Sequence, residues 1–340
     1  MRAPEFWRTQ NGFARLLEPA GLLYAAAGRL RRARTTPYRP GIPVVCVGNI
    51  VAGGAGKTPV CLSLSHALSG AHFLTRGYGG SERGPLAVDS NRHTPEEVGD
   101  EALLLAGQSP TWVARERSKG AALAEAGGAR CLIMDDGHQN PTLSKDLSLV
   151  VVDGGYGFGN RRVLPAGPLR EPLAEGLARA DAVVLMGQDT TGVTRRLPAG
   201  LPVLRAHLEP GREALRLRGQ TVVAFAGIGR PEKFFATLVA LGARVVAAHP
   251  FADHFPYRHD DIQPILDEAF QLGAIPVTTA KDAVRLPPDQ RQQVDVVPVT
   301  VRWDDPAALL SLLATKGLPV IDTPFQTAPA ALPDGSEARP

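Results

Sequence analysis

Three cysteines in 340 residues, Cys46, Cys61 and Cys131, are too few and too scattered for a disulfide framework. None stands in a C-x-x-C pair of the kind that holds zinc, and each lies inside an apolar run, so buried thiols in a reducing compartment are expected. Long apolar runs are missing as well. The longest uncharged stretch near the N-terminus, Pro19 to Gly28, is ten residues, about half of what a membrane span requires. The N-terminus has interspersed charges and no small-residue cleavage site behind an apolar core, so no secretory signal is expected. An Asn-Lys-x-Asp guanine motif is lacking too, because the nearest candidate, Thr279-Ala280-Lys281-Asp282, has its Lys displaced.

What is present is an ordinary soluble balance, 44% hydrophobic and 21% charged, in a chain about twice the length of one domain. The charge is unevenly placed. Residues 1 to 40 hold eight arginines against Glu5 and Glu18, a segment of +6 on a chain whose total is +3. Within it Leu16, Ala20, Leu23, Ala27 and Leu30 recur at helical spacing. A basic amphipathic helix lying on an anionic membrane surface fits this pattern. A surface helix packed on its own domain, with solvated arginines, fits it equally.

The stretch IPVVCVGNIVAGGAGKTPVCLSLS, residues 42–65, carries the strongest chemical signal. An apolar strand enters a glycine loop, Lys57 and Thr58 follow, and a helix begins. That is the order of a phosphate-binding loop, in which backbone N–H groups and a helix N-terminus face phosphate oxygens. Lys57 would reach the β/γ-phosphates and the Thr58 hydroxyl would ligate Mg²⁺. The spacing departs from the standard form, since Val51 stands where the first glycine is expected. Downstream, Cys131 to Met134 is a buried strand ending in Asp135-Asp136-Gly137, like the carboxylate-bearing strand that holds Mg²⁺ beside such a loop. Strands and helices alternate between and beyond these points, which implies a mostly parallel sheet covered on both faces.

Together these residues resemble the tetraacyldisaccharide 4′-kinase family of lipid A biosynthesis. The shared motifs are VGNIVAGGAGKTP (47–59), TRGYGG (75–80), VGDEALLLA (98–106), DDGHQ (135–139), LPAGPLREP (164–172), GIGRPEKFF (227–235), FADHFPY (251–257) and TTAKDAVRL (278–286). The displaced-glycine loop is this family's form. The resemblance implies an inner-membrane-associated kinase on the cytoplasmic face. Its cofactors would be ATP and Mg²⁺, its acceptor a glycolipid disaccharide 1-phosphate, and no nucleic acid or protein partner is implied. It implies Asp100 as catalytic base, paired with His254, and Lys57 as the phosphate-side cation. Gly53, Gly54, Ala55, Gly56, Lys57, Thr58, Gln139, Arg170 and Glu171 would serve the nucleotide, and Thr58, Asp135 and Asp136 the metal. Arg76, Arg115 and Arg117 are candidates for the acceptor's 1-phosphate. Asp100 reads equally as a helix N-cap, and His249, His254 and His259 are spaced for neither helical nor strand metal ligation. The chain departs from the family's usual residues at Ala55, Ala102, His138, Asn140 and Ala252, none of which removes the proposed chemistry.

The expected organisation is a basic N-terminal helix over 1–36 and a phosphate-loop kinase domain over 37–200. A two-stranded linker over 201–217, a smaller α/β domain over 218–322 and a disordered tail over 323–340 would follow. Asp100 and His254 would then meet only across the cleft between the domains, implying closure on substrate. Two alternatives compete: a GTPase or metallochaperone switch, and a soluble small-molecule kinase.

Overall fold

A computed structural model of the chain describes residues 4–9 and 11–321. The tail expected over 323–340 lies outside them. The main lobe is built on a nine-stranded sheet: β1 (Val44–Gly48), β2 (Ala71–Thr75), β3 (Leu86–Ala87), β4 (Thr111–Val113), β5 (Cys131–Asp135), β6 (Leu147–Asp153), β7 (Ala182–Met186), β8 (Val203–Pro210) and, from much later in the chain, Val299–Trp303. The smaller lobe has four parallel strands, β9 (Thr221–Ala226), β10 (Arg244–Pro250), β11 (Ile275–Thr279) and β12 (Asp295–Val297), in the order β10-β9-β11-β12. Val299–Trp303 is therefore β13, and the large sheet runs β13-β8-β7-β6-β1-β5-β2-β4-β3, parallel except at the two edge pairs.

All five residues of β1 are buried, as a strand covered on both faces requires. Alternate side chains serve opposite faces. Val45 and Val47 pack with Val60 and Leu64 of the helix Lys57–Ser65, while Val44 and Cys46 pack with Ala121 and Ala124 of the helix Arg117–Ala126. In the smaller lobe, Phe234 and Leu238 cover one face, and Ile262, Ile265 and Leu266 cover the other.

Two readings of the sequence are corrected. The stretch 201–217 is not two strands joined at Pro210-Gly211: β8 is followed by a 3₁₀ turn, Arg212–Leu217. The antiparallel partner of β8 is β13, with Val299 opposite Pro210 and Trp303 opposite Ala206. Pro298, which has no N–H to give a ladder, separates β12 from β13, so that β12 stays in one sheet and β13 crosses to the other. The final helix, Pro306–Thr315, consequently returns to the main lobe, burying Leu309 and Leu313 against the phosphate-loop helix. Trp303 Nε1 donates to Ser63 Oγ on that helix at 2.9 Å. The smaller α/β domain expected over 218–322 thus ends its sheet at 297, and the segment from Val299 onward belongs to the main lobe.

The helix Glu18–Ala33 buries only Gly21 and Ala25, with Gly21 set against the carbonyls of Val163 and Leu164. Leu16, Ala20, Leu23, Ala27 and Leu30 are all exposed, Leu23 to 74%. The apolar stripe faces away from the protein. Among the described residues no helix is long and apolar enough to cross a membrane.

Candidate active site

Because β6, β1, β5 and β2 are parallel neighbours, their C-terminal ends form one crest, and this is where an open α/β sheet receives ligands. In that order the crest presents Asp153, the glycine loop, Asp135 with Asp136, and Arg76 with Gly77.

The loop is held open by specific contacts. Asn49 Nδ2 donates to the Gly53 carbonyl at 3.0 Å, and Ala52 N donates to Pro168 O at 2.7 Å. Val51, where a standard loop would carry glycine, is extended and bridges Leu169 of LPAGPLREP. The displaced glycines follow from that pairing, since one side of the loop is a short ladder. Gly56, at φ 90°, turns the chain into the helix Lys57–Ser65. Side chains added at Gly53 or Gly54 would meet nothing within 4 Å, so both line open space at the helix N-terminus.

The paired aspartates, grouped together in the sequence reading, differ in the structure. Asp136, itself in the left-handed region at φ 53°, lies 2.7 Å from Arg170 Nη1 and 3.6 Å from Lys57 Nζ through the same oxygen. Burial alone would raise its carboxyl, but Lys57 and Arg170 outweigh it and hold it below the usual range. Asp135 accepts from Thr58 Oγ1 at 3.2 Å on one oxygen, while its other oxygen is buried and has no hydrogen-bond partner among the described residues. Burial, reinforced by Glu101 and opposed by Lys57, pushes it up to about 7. A buried carboxylate oxygen with nothing to bind is costly. A hard cation seated between Thr58 and Asp135 would satisfy it, so the donor set fits Mg²⁺.

Gln139 and Glu171 stand one layer back. Gln139 Nε2 donates to Asn49 O at 2.8 Å and to Glu171 Oε1 at 2.9 Å. Glu171, 2% exposed, also receives Arg179 at 2.5 Å and Arg32 of the N-terminal helix at 3.3 Å. The pair braces the loop through Asn49 and ties it to the helix Glu18–Ala33. His138, whose Nε2 lies 2.9 Å from Gly176 O, is drawn down to about 4 by burial and the nearby Lys145 charge. Asn140 caps its own turn, accepting from Thr142 N and Oγ1.

Asp100 opens the helix Asp100–Ala106 and is 5% exposed. Its Oδ1 accepts from Glu101 N at 2.8 Å, and its Oδ2 lies 2.9 Å from His254 Nδ1 and 3.6 Å from Arg285 Nε. Lys281 Nζ lies 3.1 Å from His254 Nε2. An ammonium can only donate, so Nε2 accepts and Nδ1–H donates to Asp100. Burial would raise the Asp100 carboxyl, but the His254 hydrogen bond and the Lys281 and Arg285 charges hold it below the ordinary range. His254 is set by a backbone at φ 58°, its N–H bonding Gly227 O at 3.1 Å.

Three motifs, two of which the sequence left without a place at the site, converge beneath this pair. Asp282, fully buried, accepts from Gly227 N at 2.8 Å, Tyr257 Oη at 2.8 Å, Thr279 Oγ1 at 2.5 Å and Arg285 Nη2 at 2.6 Å. GIGRPEKFF, FADHFPY and TTAKDAVRL thus share one buried carboxylate, which aims His254 at VGDEALLLA. Lys281, Arg285 and Glu101 escaped the sequence reading of roles, although each lies within a quoted motif. A second bridge joins the lobes at Asp153, which pairs with Arg230 and stands 3.7 Å from Lys233. The glycine loop lies between the two bridges. Of the arginines proposed for the acceptor phosphate, Arg76 and Arg115 are exposed and Arg117 is buried, donating to Ala114 O. Burial, then the Arg76 charge, lowers Arg117 to about 10. His249 and His259 face Glu268 and Asp289, at 2.6 and 3.5 Å, and among the described residues no His, Cys and carboxylate cluster is arranged to hold a metal.

The sequence profile of the tetraacyldisaccharide-1-P 4′-kinases matches residues 13–317. The chain belongs to this family. It is 65% identical to the tetraacyldisaccharide 4′-kinase of Rhodospirillum rubrum over 321 residues, covering 92% of this chain and 97% of that one. It is 55% identical to the Paramagnetospirillum magneticum enzyme over 323 residues, covering 94% and 99%. A crystal structure of the Aquifex aeolicus family member in complex with ATP superposes with a TM-score of 0.71 at 26% identity, covering 89% of this chain and 99% of that one. The fold is thus that of the tetraacyldisaccharide 4′-kinases, and the chain is a kinase.

Proposed function

We propose that the chain transfers the γ-phosphoryl group of ATP to the 4′-hydroxyl of a tetraacylated glucosamine disaccharide 1-phosphate, giving the bis-phosphorylated lipid A precursor. The observation that carries this reading is the Asp100–His254 contact, made between the lobes on the same crest as the glycine cradle. Phosphoryl transfer leaves a protein mainly the work of positioning and charge stabilisation. Asp100, kept ionised, takes the proton of the attacking hydroxyl, and His254 holds the carboxylate in place. Lys57 leaves Asp136 for the phosphates, and Arg170 remains to neutralise Asp136. Thr58 and Asp135 would hold Mg²⁺, which when bound neutralises phosphate charge and orients the phosphoryl oxygens.

A membrane-surface position on the cytoplasmic face belongs to the same proposal. The outward apolar stripe from Leu16 to Leu30 supports it, and such a patch on a soluble surface marks an interaction site. Arg29 and Arg32 are spent on Glu175 and Glu171, so the anionic surface would meet Arg15, Arg31 and Arg34 instead. The test is ATP-dependent phosphorylation of the disaccharide 1-phosphate lipid by wild type and Asp100→Ala. Loss of turnover with nucleotide binding retained is expected; full turnover in the variant would remove Asp100 from the reaction.

A further inference from the structure

Beside the crest, on the face that carries the N-terminal helices, a cavity of about 240 Å³ opens between the loops that follow β6 and β7. Arg8, Arg161 and Arg196 border it, together with Tyr156, Thr191 and Gly155. Among the described residues no carboxylate lines it, and neither Arg8 nor Arg161 forms an ion pair. Among the same residues the buried Tyr156 Oη has no hydrogen-bond partner. Three cations and an unpaired hydroxyl around one void are what a multivalent oxyanion would satisfy.

The walls are built. Arg8 lies 5.5 Å over the Tyr156 ring, and Arg196 Nη1 donates to the Gly192 carbonyl at 3.1 Å. Arg161 sits at φ 62° in a turn closed onto Phe158 O at 3.0 Å. The N-terminal segment is pinned over the loop, with Asn160 N donating to Trp7 O at 2.7 Å and Trp7 Nε1 to Pro165 O at 3.2 Å. Just beyond Arg8, Phe13 packs edge-on against Phe6 at 5.1 Å, and Phe13 and Leu16 are both exposed, so the apolar surface of the N-terminal helices begins close to Arg8 in the chain. The phosphate source closest to such a stripe is a lipid head group.

We propose that this cavity is an anion site for the phosphate of a membrane phospholipid, separate from the nucleotide and acceptor positions. Guanidinium groups would clamp the phosphate oxygens, Tyr156 would donate to one of them, and the acyl chains would run along Leu16 and Leu23. The site uses no residue assigned to catalysis, and a monomeric lipid probe tests it without relying on membrane binding or on the kinase reading.

The experiment titrates the full chain with dihexanoyl-phosphatidylglycerol below its micellar concentration, followed by calorimetry or NMR. Saturable binding is expected, about tenfold weaker in Arg161→Gln and several-fold weaker in the near-isosteric Tyr156→Phe, with turnover on the disaccharide lipid unchanged. A saturating non-hydrolysable ATP analogue should leave the lipid affinity as it was. Absent binding, equal binding by both variants, or displacement by the nucleotide would overturn the proposal. Inorganic phosphate competing at equal affinity would overturn the lipid assignment, leaving a free-phosphate site.

Discussion

His254 of the smaller lobe lies 2.9 Å from Asp100 of the main lobe, and Lys281 on its far ring nitrogen fixes which nitrogen faces the carboxylate. The carboxylate and the imidazole are 154 positions apart in the chain. Only the seating of one lobe on the other brings them together.

That relationship sets a pH prediction. In the proposed reaction Asp100 acts in its ionised form, and the His254 hydrogen bond is the leading influence holding its pKa down against burial. In His254→Ala that bond is lost and the pKa rises. The acid limb of kcat/KM should therefore move to higher pH, and kcat should fall about 10²-fold or more. A pH–rate profile of the variant checks this, and an unmoved or lowered acid limb would sink it.

Lys57→Ala removes a cation from the phosphate side and also from Asp136. Turnover should drop by about 10² or more, since charge stabilisation dominates phosphoryl transfer. Asp136 retains Arg170, so folding should be little affected. Steady-state kinetics beside a thermal melt separates the two effects.

Asp135→Asn keeps the bond with Thr58 but gives up the unpartnered anionic oxygen. The Mg²⁺ concentration for half-maximal turnover should rise about tenfold or more, while nucleotide affinity measured without Mg²⁺ stays near wild type. An unchanged Mg²⁺ requirement would place the cation elsewhere.

Leu22→Glu with Leu23→Glu adds charge to the exposed face of the helix Glu18–Ala33, where neither side chain is buried. Flotation with anionic vesicles should be lost while thermal stability is retained. Vesicle binding equal to wild type would assign membrane contact, if any, to another surface.

Leu309→Ala should destabilise the main lobe by about 2–5 kcal/mol, the usual loss for a fully buried leucine. Leu309 is buried against the phosphate-loop helix, so unfolding of that lobe should be the transition affected. A melt within 1 °C of wild type would contradict the packing described.

The glycine loop, Lys57, Thr58 and the aspartate strand end were legible as one neighbourhood because each lies in a short stretch of sequence at a strand end. Asp100 reads as a helix N-cap, but Gly99 holds that position and Asp100 is the first helical residue. Much else depended on long-range seating. Glu171 reads as an exposed loop charge until Arg32 and Arg179 are brought onto it. Asp135 and Asp136 read as equals until Arg170 arrives at one of them. The apolar stripe of the N-terminal helix allowed two opposite placements, and only Gly21 and Ala25, too small to register as a hydrophobic signal, mark the inward side. Val299–Trp303 carries a strand pattern whichever sheet it joins, and Pro298 is the local reason it changes sheets.

The crossing at β8 and β13 carries a mechanical consequence. The chain leaves the main lobe at Pro210 and re-enters it at Val299, and Gly211 N bonds Pro298 O at 2.8 Å, so exit and return run shoulder to shoulder. Two connections fastened side by side behave as a flat strap. The smaller lobe can tip out of the strap's plane at little expense, whereas swivelling within that plane would tear the rungs joining the connections. Repeated opening should thus bring the imidazole back to the same carboxylate along one arc.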